Sequence, residues 1–152
     1  FVLMKRGFTF LEILMVLAVL GILGTMVTVT ISNFRENALL EEARGRVLTE
    51  LTLARSKTLG SEDNSQWGVH FESAKLVRFK GSAYVSTSPD NQSFDLPPRT
   101  VLSLISLSGG GEDIIFERLT GRALATGTLR VSLLSEATSS TTITIYESGI
   151  AE

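Results

Sequence analysis

The 152-residue chain has no cysteine, three prolines, one tryptophan and one histidine. Without cysteine it can form neither a disulfide nor a thiolate metal site, and it cannot carry a lipid on an N-terminal cysteine; its redox compartment stays open. The prolines are Pro89, Pro97 and Pro98, so no pyrrolidine ring interrupts a helix in the first 88 residues. The lone histidine, His70, has no cysteine or carboxylate cluster beside it in sequence and reads as packing rather than as a ligand. Net charge is −2, and from Arg35 onward 12 basic residues face 15 acidic ones, so no cation excess marks a polyanion-binding protein. The longest absence is of charge itself: residues 13–34, "ILMVLAVLGILGTMVTVTISNF", carry none.

As a helix that run would be about 33 Å long, close to the hydrocarbon thickness of a bilayer. It exceeds the ~7–15-residue apolar core of a secretory signal, and no Ala-x-Ala site follows it. Lys5 and Arg6 precede the run, whereas the first charges after it, Arg35 and Glu36, are of opposite sign. The positive-inside bias therefore predicts a single pass, with the N-terminus cytoplasmic and the bulk of the chain on the other side.

Past Phe34 the pattern becomes periodic. Leu39, Ala43, Val47, Leu51 and Ala54 recur at helical spacing, with Leu40 and Leu48 beside them, and Glu42 and Arg46 form an i,i+4 pair in the favourable order. Arg55 and Lys57 fall in the last turn, where cations offset the helix end, and Leu59-Gly60 supplies a stop before the polar "SEDNS". One helix from about residue 9 to residue 59 is expected, apolar all round over 8–34 and amphipathic over 35–60. Gly21 and Gly24 weaken its apolar half and fit either close helix packing or the ordinary glycine content of membrane helices.

The remaining residues, 61–152, read as β. "QWGVHF" (66–71) and "KLVRF" (75–79) form a hairpin, and "AYVST" (83–87) is expected to continue the meander until "SPDNQ" and "LPP" break it. "VLSLISL" (101–107), a strand in "DIIFERLTGRAL", "GTLRVSLL" (127–134) and "TTITIYESG" (141–149) follow, the last two as a hairpin across "SEATSS". The predicted class is α+β, a long N-terminal helix whose amphipathic half packs on a mostly antiparallel sheet.

The stretch just ahead of the apolar run, "KRGFTFLE", resembles the N-terminus of type IV prepilins and pseudopilins. The matching residues are the basic leader Lys5-Arg6 ending in Gly7, then Phe8, then Glu12 at a fixed offset before the long apolar helix. The order "ARSKTLG", "WGVHF", "IIFERLTGRA", "ITIYESGIAE" is similar to the GspH/FimT-type minor pseudopilins and pilins. This chain departs from many pilins in having no disulfide and in carrying Gly21 and Gly24 where a helix proline is common. The resemblance implies a pilin-like fold and a leader, 1–7, removed after Gly7 by a membrane-embedded prepilin peptidase that also N-methylates Phe8. The chain is then expected to be the precursor. It further implies residence in the bacterial inner membrane with a periplasmic globular domain, release from lipid through an inner-membrane assembly platform, and packing with other pilin subunits through the apolar helix. The destination is a type IV pilus or a type II secretion pseudopilus. No cofactor is implied.

Glu12 at the mouth of an apolar segment has two readings. Thr9-x-x-Glu12 fits a capping box at a helix start. Alternatively, Glu12 pairs with the Phe8 ammonium of a neighbouring, processed subunit, because an ion pair in low dielectric is strong and directional.

Other candidates are weaker. Asp90, Asn91 and Asp95 lack the order of a calcium loop and suit a turn, Glu112 and Asp113 follow a triple-glycine loop, and no G-x-S-x-G elbow is present. A DNA-binding pilin for transformation would use Arg118, Arg122 and Arg130, or Arg78 and Lys80 on one strand, although acidic residues are interleaved with them. A membrane-tethered binding domain that never polymerises is a third reading; it predicts an uncut leader and indifference to Glu12.

Overall fold

The computed structural model describes residues 7–134 and 139–152, with residues 25–33 as backbone only. Its elements are helix α1 (Phe10–Leu59), a 3-10 turn (Glu62–Asn64) and seven strands. The strands are β1 (Trp67–Phe71), β2 (Lys75–Lys80), β3 (Gln92–Asp95), β4 (Thr100–Leu107), β5 (Asp113–Ile115), β6 (Gly127–Leu133) and β7 (Ser140–Ile145). The chain divides into two compact units, Phe1–Glu36 and Asn37–Glu152.

In the first unit, α1 begins at Phe10, and its side chains from Phe10 to Gly24 are all exposed. The expected membrane span, 13–34, takes in residues 25–33 and so lies partly outside the described side chains. Among the described residues no helix is long and apolar enough to cross a membrane.

The second unit holds the core. The predicted stripe is its helical face: Leu40, Ala43, Val47, Leu51 and Ala54 are buried, with Leu39 and Leu48 packed at its margin. Full burial of Val47 and Leu51 contributes roughly 1.5–3 kcal/mol each. Thr58 ties the end of the helix to the first strand, its Oγ1 accepting the Trp67 N–H at 2.9 Å. The helix stops at Leu59, but the left-handed residue that turns the chain is Ser61 (φ 50°), not Gly60.

Where one sheet was expected there are two antiparallel ones, β3-β2-β1-β5 and β4-β6-β7. Their apolar faces and α1 share one core, built from residues such as Val69, Phe71, Leu76, Ile114, Leu129 and Ile143. The hairpins β1–β2 and β6–β7 pair as predicted, although residues 135–138 of the second connection lie outside the described residues. "AYVST" is not a strand. Tyr84 instead stacks on His70, ring centroids 4.0 Å apart, and tilts against Phe79, while Asn91 Nδ2 donates to Val85 O at 2.8 Å and closes the loop on itself. Between "SPDNQ" and "LPP", where only breaks were expected, the chain forms β3.

Candidate functional site

Residues flanking the start of α1 are laid out as a cap and an outward acid. Thr9 precedes the helix and accepts the Glu12 N–H on its carbonyl oxygen at 3.1 Å and on Oγ1 at 3.3 Å. That is one half of the capping box; among the described residues the Glu12 carboxylate makes no hydrogen bond or ion pair. Glu12 is exposed and shares a shallow depression with Phe8, Ile13, Val16 and Leu17. Gly7 is non-helical and exposed, with open space around its Cα. Lys5 and Arg6 lie outside the described residues.

The arginines considered for DNA do not form a basic face. Arg122 pairs with Glu147, and Glu117 stands beside it in the same cleft. Arg118 donates to Asn64 Oδ1. Arg130 sits exposed in the middle of β6, opposite Ser103 and Thr142. The pairing of Arg78 with Lys80 on one accessible strand face is overturned: Arg78 is buried against α1, and Lys80 is held by Asp63 at 3.2 Å. Burial of Arg78 follows from Glu50, whose carboxylate meets it inside.

A second cluster lies at the Leu59 end of the globular unit. Arg55 Nε donates to Gly121 O at 3.0 Å, and its Nη2 donates to Ser148 O at 3.2 Å. Two hairpin tips meet there. The first runs through Phe116–Ala123 pairing, the second through Ile145–Ala151 pairing, and Ala123 N–H donates to Glu147 O across them at 3.1 Å. Gly121 and Gly149 both hold left-handed φ, 66° and 78°; a Cβ on Gly149 would stand 2.1 Å from Gly121 O, and one on Gly121 would stand 2.9 Å from the Leu59 side chain.

Three comparisons bear on this arrangement. Residues 3–28 match the prokaryotic N-terminal methylation motif. Among solved structures the chain is similar to the type IV minor pilin FimU of Pseudomonas aeruginosa in two crystal forms. One gives a TM-score of 0.58 at 12% identity over 78% of this chain and 90% of FimU. The other gives 0.53 at 12% identity over 74% and 90%. No curated protein sequence matches. The chain thus carries an N-terminal methylation motif and a fold similar to that of a minor pilin.

The methylation motif covers Gly7, Phe8 and Glu12, and the likeness to FimU extends to the fold alone. Sequence reasoning missed three arrangements within that fold. The first is the buried pair Glu50–Arg78, in which Arg78 also donates to Gln92 and lies 5.0 Å from the Phe94 ring centroid. Burial pushes the Glu50 carboxyl above its ordinary value, outweighing the downward pull of Arg78 and Arg46. The second is His70, whose Nδ1 lies 2.6 Å from Asp113 Oδ1 on the neighbouring strand. The third is the Arg55 cluster. Its signal was present, since Arg55, Gly121 and Gly149 each fall in one of the quoted stretches "ARSKTLG", "IIFERLTGRA" and "ITIYESGIAE".

Proposed function

We propose that the chain is a noncatalytic structural subunit of a type IV pilus or type II secretion pseudopilus. The observation that carries this reading is the match to the N-terminal methylation motif over residues 3–28, a stretch that includes Gly7, Phe8 and Glu12. Prepilin peptidase cuts between Gly7 and Phe8 on the cytoplasmic side and methylates the new Phe8 amine, which keeps its positive charge. Before assembly the apolar half of α1 resides in the inner membrane with the globular unit outside the cytoplasm.

An acidic residue at mid-membrane costs about 2.5–3.5 kcal/mol on insertion scales, and much less near the interface. Glu12 close to the cytoplasmic edge is therefore tolerable in lipid, yet it gains most when a cation meets it. The Phe8 ammonium of a neighbouring subunit lies in the same thin layer and supplies one. Apolar helices gain little by exchanging lipid for one another, so that pair fixes their axial register.

The sheet edges favour assembly through the helix. Arg46 occupies Asp95 O of β3 at 2.9 Å, Leu124 N–H pairs with Ile115 O of β5, and the end of β7 pairs both ways with Glu152 at Thr144. On β4, Leu102 N–H bonds Ser73 O, and a bulge between Ser103 and Ser106 carries Leu104 in a left-handed conformation (φ 47°). Strand addition finds these edges partly occupied or kinked.

The test is Glu12→Gln and Glu12→Ala in the native host. Both should insert and lose the leader normally while disappearing from sheared fibres. Fibres that contain both variants at the normal level would contradict the pairing.

A further inference from the structure

Residues 82–90, which join β2 to β3, are tied to themselves rather than to the sheet. Among the described residues, every hydrogen bond they make stays within 85–91. Ser88 N–H donates to Val85 O at 3.0 Å, Asp90 N–H to Ser88 Oγ at 3.4 Å, Asn91 N–H to Ser88 O at 3.3 Å, and Asn91 Nδ2 to Val85 O and Ser86 O. Before the segment, Gly81 holds φ 123° and donates to Gln66 O at 2.8 Å; after it, Asn91 leads directly into β3. Between those ends the ring contacts to the sheet are those of one side chain, Tyr84, on His70 and Phe79.

The surface under Tyr84 is separate from the core. Trp67, Val69 and Phe71 of β1 face α1, so Gly68 and His70 take the opposite face, beside Phe79 and Val77 of β2 and Ile115 and Asp113 of β5. Val77 and Phe79 are each 1% exposed, yet neither belongs to the core that α1 shares with the two sheets. No side chain of 82–90 joins that core either, and Val85 stands 55% exposed.

We propose that residues 82–90 form a strap with Tyr84 as its latch, which lifts off β1 and β2 while the core stays folded and thereby bares Val77 and Phe79. Lifting breaks no strand ladder and no hydrogen bond between strap and sheet, and it draws no side chain out of the core. What it gives up is the ring contacts and the apolar surface beneath them, the profile of a local opening rather than of global unfolding. Closure has a preset seat. His70 Nδ1 lies 2.6 Å from Asp113 Oδ1, and that bond holds the imidazole flat under Tyr84, the two ring planes 10° apart. Because the strap keeps its own hydrogen bonds, it moves as a unit, with Gly81 and Asn91 as the points where the chain bends.

The bond between Tyr84 and Val85 is itself the probe, because chymotrypsin cuts after an aromatic residue once the backbone around it is free. The full chain in detergent micelles is treated with chymotrypsin at several urea concentrations below the unfolding midpoint, and cleavage of that one bond is followed by mass. The rate should change less than about twofold across the series, since a local opening exposes little surface beyond the strap itself. A rate that climbs in step with global unfolding, or a bond that stays intact until the unit unfolds, overturns the strap. His70→Ala removes the seat and should speed the cut about tenfold with the same flat response to urea. His70→Phe keeps a ring under Tyr84 without the bond to Asp113 and should return the rate to within about threefold of wild type. Equal rates in wild type and His70→Ala, or a His70→Phe rate as fast as that of His70→Ala, overturn the latch. Should His70→Ala fail to fold, the wild-type urea series decides alone.

Discussion

Gly149 packs against Gly121 so tightly that a Cβ on Gly149 would stand 2.1 Å from Gly121 O. Arg55 then clamps both turns, so the last residues of the chain are tied to a helix begun more than a hundred residues earlier. Gly149→Ala is expected to destabilise the globular unit by about 2–4 kcal/mol, because backbone clash and a left-handed φ act together. Urea unfolding of residues 37–152 checks it. Arg55→Ala removes two partly exposed hydrogen bonds and should cost about 1–2 kcal/mol.

Glu50 and Arg78 give a prediction with a sign. The folded-state pKa of Glu50 is raised above 4.5 by burial, so its contribution to stability is fully present below about 4.5 and is lost as pH rises through the folded-state value. The difference in unfolding free energy between wild type and Glu50→Gln should therefore shift toward wild type as pH falls through that window. A difference moving the other way would show that Arg78, not burial, dominates.

The same pair predicts an asymmetry between mutants. Arg78→Ala strands a buried carboxylate and should cost about 3–5 kcal/mol, whereas Glu50→Gln with Arg78→Met should be close to neutral. Thermal unfolding of the two variants beside wild type separates the cost of breaking the pair from its net worth.

Gly68 fits its strand because Phe79 crosses over it: an added Cβ would meet Phe79 Cζ at 2.6 Å and Ile114 O at 2.7 Å. Gly68→Ala should destabilise by about 1–3 kcal/mol and loosen Tyr84, which leans on the same Phe79 ring. Loss of amide protection across residues 82–91 in hydrogen exchange is the expected signature.

For nucleic acid the outcome should be negative. With Arg122 paired, Arg118 hydrogen-bonded and Arg78 buried, the globular unit is expected to give no salt-dependent shift of duplex DNA even at low ionic strength. A shift abolished by Arg130→Ala would revive the DNA-binding reading.

Much of this was legible because it depends on local periodicity. Leu40, Ala43, Val47, Leu51 and Ala54 face inward as their spacing dictates, and Glu42–Arg46 forms its pair at 3.8 Å. The hairpins followed from alternation. The failures involve partners distant in sequence. "AYVST" has strand composition, but Tyr84 finds a better surface on His70 and Phe79 than a ladder offers. Arg55 looked like a helix-end cation and proved to be a tie to residues 66 and 93 positions away. Arg78 read as a cation on an accessible strand face because nothing in its stretch announces Glu50, 28 positions earlier. At the N-terminus, Thr9 makes its cap as the S/T-x-x-E pattern implies, and Glu12 is left facing outward.

The most direct test of the account is the intact mass of the protein extracted from membranes of its native host. The account predicts a chain beginning at Phe8 and heavier by one methyl group than that sequence requires. A mass that retains residues 1–7 without modification would contradict it.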